Sequence, residues 1–204
     1  MERDGQPTMA DISAKDVAAL RKKTGASMMA CKKALTETGG DMEKAEVLLR
    51  QQDAKIAAKK ADRATEQGYI GHYVHGGRIG VLVEVACETD FVAKNDKFQE
   101  FIKDLAMHIC ATNPLAITPE ELDAGIVNKE REVYLGQVQD KPENIREKIV
   151  EGKMQKFYSD NCLMNQAFVK DGDKTIEQHL TETIGTLGEN IVIKKFARLE
   201  LGAE

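Results

Sequence analysis

Nowhere in the 204 residues is there an apolar run long enough to cross a bilayer, so a helical membrane span is excluded. Residues 1–9 are polar and carry Gly5 and Pro7, which denies them the apolar segment of a secretory signal; they read as a disordered leader or processing remnant. Cys31, Cys87, Cys110 and Cys162 form no CxxC pair and lie scattered through apolar-periodic segments. That distribution argues against a zinc site or disulfide framework and for buried free thiols in a reducing compartment. An excess of positive charge is also missing. The net charge is −5, against generic nucleic-acid binding through a basic surface.

Chemical motifs are equally scarce. There is no GxxxxGK[ST] and no GxGxxG, hence no phosphate cradle belonging to this chain. Asp171-Gly172-Asp173 signals a turn, since the ligands of a calcium loop do not follow it. His72 and His75 are three apart on an expected strand, which sends them to opposite faces and away from a shared metal. No Ser/His/Asp or Cys/His set announces itself, so no cofactor and no covalent catalysis are expected.

What is present is 42% hydrophobic and 31% charged residues in a pattern that divides the chain. Ser13 to Asp16 has the form of a helix-capping box, and Gly25 stops that helix; Ser27 opens a second with Met28, Cys31 and Leu35 on one face; Asp41 caps a third with Met42, Ala45, Leu48 and Leu49 inward. Residues 10–54 therefore form a three-helix module. Residues 10–63 carry a net +4, leaving −9 on the remainder, a polarity suited to steering. Residues 55–67, Ala- and Lys-rich without a sustained stripe, read as a solvated helical linker.

Residues 68–204 read as an α+β core, a small antiparallel sheet packed against helices. Tyr69 to His75 and Arg78 to Val85 flank Gly76-Gly77 and predict a hairpin, with Ile79, Val81, Val83 and Val85 on its inner face. Phe98, Phe101, Ile102, Leu105 and Ile109 have helical spacing, ended by Asn113-Pro114. Thr118-Pro119-Glu120-Glu121 opens a helix with Leu122, Ile126 and Val133 on one side, and Pro142 opens another bearing Ile145, Ile149, Met154 and Phe157. Gln166 to Val169 is a short strand. Thr175 caps a last helix with Ile176, Leu180, Ile184 and Leu187 inward, and Ile191, Ile193, Leu199 and Leu201 alternate along a closing strand that rejoins the hairpin.

Where the hairpin runs into the helix, no Gly or Pro intervenes, so Thr89, Asp90 and Phe91 stand at a tight corner. Thr89 or Asp90 suits an N-cap. Phe91 has two readings: a contact residue beside a carboxylate, or first-turn core, since it lies seven residues before Phe98. Met29, off the apolar stripe beside Lys32 and Lys33, is likewise either peripheral core or contact. His108, next to Leu105 and Ile109, reads first as a satisfied core or interfacial histidine. By itself this pattern describes an interaction protein; a peptide- or ubiquitin-type binding module in front of an unrelated scaffold, or an enzyme with a cryptic Cys/His site, are the alternatives.

Leu20-Arg21-Lys22-Lys23-Thr24-Gly25-Ala26-Ser27-Met28-Met29-Ala30-Cys31-Lys32-Lys33-Ala34-Leu35 closely resembles the signature near the start of the translation elongation factor Ts family. Glu84 to Asn95 resembles that family's second signature, and Ala106 to Ile109 and Glu151 to Phe157 resemble further blocks in the same order. The resemblance implies a guanine nucleotide exchange factor for elongation factor Tu, with a front module similar to ubiquitin-associated domains. By matching position it implies a GTPase-contacting wedge at Thr89, Asp90, Phe91 and Val92, further contacts from Arg21, Met28 and Met29, and His108 in the core's contact surface. It also implies cytoplasmic location, or the matrix or stroma of a bacterial-type organelle. Having one core unit, the chain is similar to short members that pair, which implies a homodimer. Ala167 departs from the proline usual in the family.

Overall fold

A computed structural model describes residues 12–203; the leader expected over residues 1–9 lies outside them. The first three helices are α1 (Ala14–Thr24), α2 (Met28–Glu37) and α3 (Met42–Lys60), capped by the side chains of Ser13, Ser27 and Asp41 as their spacing predicts. Gly25 ends α1 at φ 70°, its N–H donating to Arg21 O. Val17, Leu20, Cys31, Ala34, Leu35, Ala45 and Leu49 bury together as this module's own core. Met28, expected on the inward face, is instead exposed at the first helical position.

Residues 55–60 are helical, as expected. They continue α3, and Ile56 and Ala57 pack against the main core. Gly185 explains the close approach: a side chain there would collide with the Asp53 carboxyl, so the helix of residues 176–187 can lie against α3.

The sheet has the order β1 (Gln67–His75), β2 (Ile79–Cys87) and β5 (Ile191–Glu200), all antiparallel, with β2 central. Gly76 and Gly77 make the hairpin at φ 56° and 68°, backbone that residues with a Cβ seldom adopt. Val81, Val83 and Val85 face inward against α5 (Asp96–Thr112), whose Phe98, Phe101, Ile102, Leu105 and Ile109 are all buried. Between these, a single turn, α4 (Asp90–Ala93), joins sheet to helix.

A bulge changes the closing strand. Glu84 pairs with Lys195 but Val85 with Ile193, so one extra residue reverses which positions face inward. Ile191 and Ile193 are buried as expected, whereas Phe196 and Arg198 turn inward after the bulge and Leu199 and Leu201 point to solvent.

The segment after α5 is more open than its pattern suggests. Pro119–Glu121 is one 3-10 turn; Asp123 then caps α6 (Ala124–Gly136), which buries no residue, and leaves Ile126 and Val133 exposed. It pairs with α7 (Glu143–Asn161), whose Val150 and Met154 are buried while Ile145 is exposed. This hairpin has only small cores, one of Val138, Val150 and Met154 and another of Ala116, Leu122 and Cys162. The short strand is β3 (Ala167–Phe168), and it pairs with β4 (Asp171–Thr175), a polar strand where only a turn was expected. Thr175 then caps α8 (Ile176–Leu187) with a full capping box, and Gly188 ends it at φ 73°. All four cysteines are free and buried. Among the described residues no helix is long and apolar enough to cross a membrane.

Candidate partner-binding site

The corner between β2 and α5 is built from both sides. Thr89 is the N-cap of α4, its Oγ1 accepting from Val92 N–H at 3.3 Å. Val92 and Ala93 are buried in the main core and pin the turn from below. Lys94 then leaves the helix, and Asn95 caps α5 afresh by accepting from Lys97 N–H at 2.9 Å. That interruption decides between the readings of Phe91. The helical phase does not run back from Phe98 through residues 94–95, and Phe91 is 85% exposed. Beside it, Asp90 accepts from Lys94 Nζ at 2.8 Å, and this bond and charge hold its carboxyl below the usual carboxylate range. Asp90 is thus ionised at neutral pH. Of the four expected wedge residues, Thr89, Asp90 and Phe91 are outward; Val92 is an anchor beneath them.

Residues a hundred positions away hold the corner from behind, and no periodicity points to them. The Glu189 carboxylate accepts from Thr89 N–H at 3.0 Å and Thr89 Oγ1–H at 2.7 Å. Glu88 accepts from Asn190 N–H at 2.7 Å and from Arg63 at 3.3 Å, and these bonds lower its pKa in that order. Asn190, itself buried, donates through Nδ2 to Ala61 O and Arg63 O. Cys87 Sγ donates to Thr89 O at 3.2 Å; burial, and then the charge of Glu189, raise its pKa and keep that thiol protonated.

The front module adds exposed side chains nearby. Lys97 Nζ donates to Gly25 O at 3.2 Å, setting the α1–α2 link against the first turn of α5. Just beyond Gly25 come Met28 and Met29; Met29 is 76% exposed, which rules out the core-filler reading. Arg21 is exposed on α1.

His108 is elsewhere. It is fully buried in α5, where Nε2–H donates to Gln166 Oε1 at 2.9 Å while Nδ1 accepts from Val169 N–H at 3.3 Å. Burial lowers its pKa and favours the neutral ring, and the Val169 N–H facing Nδ1 selects this tautomer. Gln166 also accepts from Thr112 and donates to Asp160 O. The contact role that the resemblance implied for His108 therefore lacks an exposed side chain; the core reading holds.

Comparison with known sequences bears on the whole chain. The family described as "Elongation factor TS" matches residues 8–203. Curated relatives named "Elongation factor Ts" include those of Geotalea daltonii, 56% identical over 194 residues (94% of this chain, 90% of the relative), and Geobacter metallireducens, 55% identical with the same coverage. That of Syntrophobacter fumaroxidans is 52% identical over 197 residues, covering 95% of this chain and 98% of the relative. With the two signatures folded into one corner and one helical module, the chain belongs to the elongation factor Ts family, in general exchange factors of translation elongation.

Proposed function

We propose that this protein binds elongation factor Tu in its GDP form, accelerates GDP release by setting Asp90 and Phe91 beside the Mg²⁺ and phosphate site, and leaves as GTP enters. The carrying observation is a phenylalanine 85% exposed on a turn whose neighbours are buried or tethered. An apolar ring held out in water serves the free protein little, and an ionised carboxylate beside it suits disturbing a cation's ligands. Arg21, Met28 and Met29 give a second contact at the GTPase. By linkage, GDP must weaken the factor's binding as much as the factor weakens GDP's. The chain performs no covalent step; it shifts a partner's equilibrium. We place this work in the cytoplasm, without direct nucleic-acid contact. Stopped-flow release of fluorescent GDP from elongation factor Tu tests the proposal. Acceleration that saturates with factor is expected, and no acceleration refutes it.

A second observation favours a homodimer. Across the outer sheet face Ile70, Val74, Leu82 and Leu199 are exposed, and the bulge places Leu199 opposite Gly80 there. A sheet face so apolar suits a second copy of itself, giving a pair that binds two GTPases. Sedimentation should show a dimer that Leu82→Asp dissociates; a monomeric wild type at micromolar concentration sinks this reading.

A further inference from the structure

We infer that Glu189, backed by the Glu88, Asn190 and Arg63 bonds, is the positioning device for the corner: it fixes the direction in which Asp90 and Phe91 project without touching the GTPase. The inference rests on the exchange reading. Four residues of helix cannot hold their own geometry, since one turn fixes several dihedrals for a single hydrogen bond. Order at α4 must come from outside it. Below the turn stand Val92 and Ala93, which limit its depth. Gln99 Nε2 donates to Ala93 O at 2.6 Å and holds the far end of the turn, which leaves the near end, at Thr89, to be oriented.

The near end is oriented through Thr89. Its N–H and Oγ–H both point into one carboxylate, from the loop that leads into β5. Two bonds to two oxygens define an orientation, where one bond would define only a distance. The same hydroxyl caps α4, so moving Thr89 moves the cap. Glu189 in turn is located by its neighbour Asn190, whose N–H is held by Glu88 and whose amide grips the chain at Ala61 and Arg63, just beyond α3. The path therefore joins the corner to the helix that carries the front module. It gives Phe91 and Met29 a common frame, which a factor gripping one partner at two places requires.

The test compares wild type, Glu189→Ala and Glu189→Gln by fluorescent-GDP release over a range of factor concentration, by thermal melting, and by the Thr89 amide proton in a ¹H–¹⁵N spectrum. In Glu189→Ala the maximal release rate should fall about tenfold, because the contact surface is intact but misdirected. The factor concentration giving half that rate should change by less than about threefold, since the contacting side chains remain. The Thr89 amide proton should move upfield as its bond to a charged acceptor is lost. Glu189→Gln keeps one acceptor oxygen and should recover part of both; it also serves if the alanine variant does not fold. Wild-type maximal rates in both variants would overturn the positioning role, as would a rate loss matched entirely by a lost folded fraction. If wild type itself leaves GDP release unaccelerated, the exchange reading fails, and the positioning role with it; an upfield Thr89 shift in Glu189→Ala would then show the clasp as structural only.

Discussion

Replacing Phe91 by alanine separates binding from folding. A phenylalanine side chain buries about 150–250 Å² when fully enclosed. At 85% exposure, roughly 30 Å² of Phe91 is covered in the folded protein, worth under about 1 kcal/mol at ~25 cal/mol per Å². Alanine returns part of that, being better in a helix than phenylalanine by about half a kcal/mol. Net stability should change by less than about 0.5 kcal/mol. Phe98→Ala, seven residues on and fully buried, should cost about 3–5 kcal/mol. For exchange the order reverses. An aromatic anchor at the centre of an interface contributes about 2–4 kcal/mol, so Phe91→Ala should slow factor-stimulated GDP release by about 30- to 1000-fold. Denaturant unfolding and stopped-flow release on the same preparations measure both. A variant that unfolds as easily as Phe98→Ala, or one that releases GDP at the wild-type rate, refutes the reasoning.

Two further predictions concern the front module and the junction beneath it. Met29→Glu, at a 76% exposed position, should leave the melting curve unchanged yet raise the factor concentration for half-maximal GDP release about tenfold, because a charge replaces an adaptable apolar contact. The junction holds two groups with opposed titrations. His179 lies between the rings of Phe101 and Phe168 with neither nitrogen partnered, and burial lowers its pKa from 6.5 to about 4. Asp53 is raised from 3.8 to about 6 by burial and by the charge of Glu182. Between pH 4 and 6 the unfolded chain holds the extra proton at His179, so stability rises with pH; the folded chain holds it at Asp53, so stability falls with pH. Each slope is at most about 1.4 kcal/mol per pH unit, and less for half-exposed Asp53. Relative to wild type, Asp53→Asn should gain stability as pH rises from 4 to 6, and His179→Leu should lose it. Denaturation midpoints across that range check the pair, and parallel wild-type and variant profiles would contradict it.

The fold was readable wherever one face of an element meets one core. The caps at Ser13, Ser27, Asp41 and Thr175, the stripe of α5 and the inner row of β2 all obey a single period. Reading failed where the period is broken by something that leaves no mark in composition. The bulge opposite Glu84 inverts β5 without a glycine to announce it, so Leu199 read as core. In α6, Ile126 and Val133 keep a helical spacing but meet no covering layer. β4 is a strand because β3 pairs with it, although Asp171 to Thr175 has no β-like alternation. At the site, the outward residues lay within one contiguous stretch and could be named; Glu189 could not. Its partner is a hundred residues away, and a glutamate after a helix-ending glycine is common enough to carry no signal.

The same contrast explains how an exposed aromatic is kept in place. In a large core, Phe91 would be ordered by the contacts it makes; here it makes few, so its order must be inherited from residues that are themselves buried or bonded. Val92 and Ala93 supply the floor, Thr89 the link to Glu189, and Asn95 an independent start for α5. Conformational freedom removed beforehand need not be removed on binding. The outward part of the corner is therefore small, while the bonds that hold it run from Ala61 and Arg63 to Asn190.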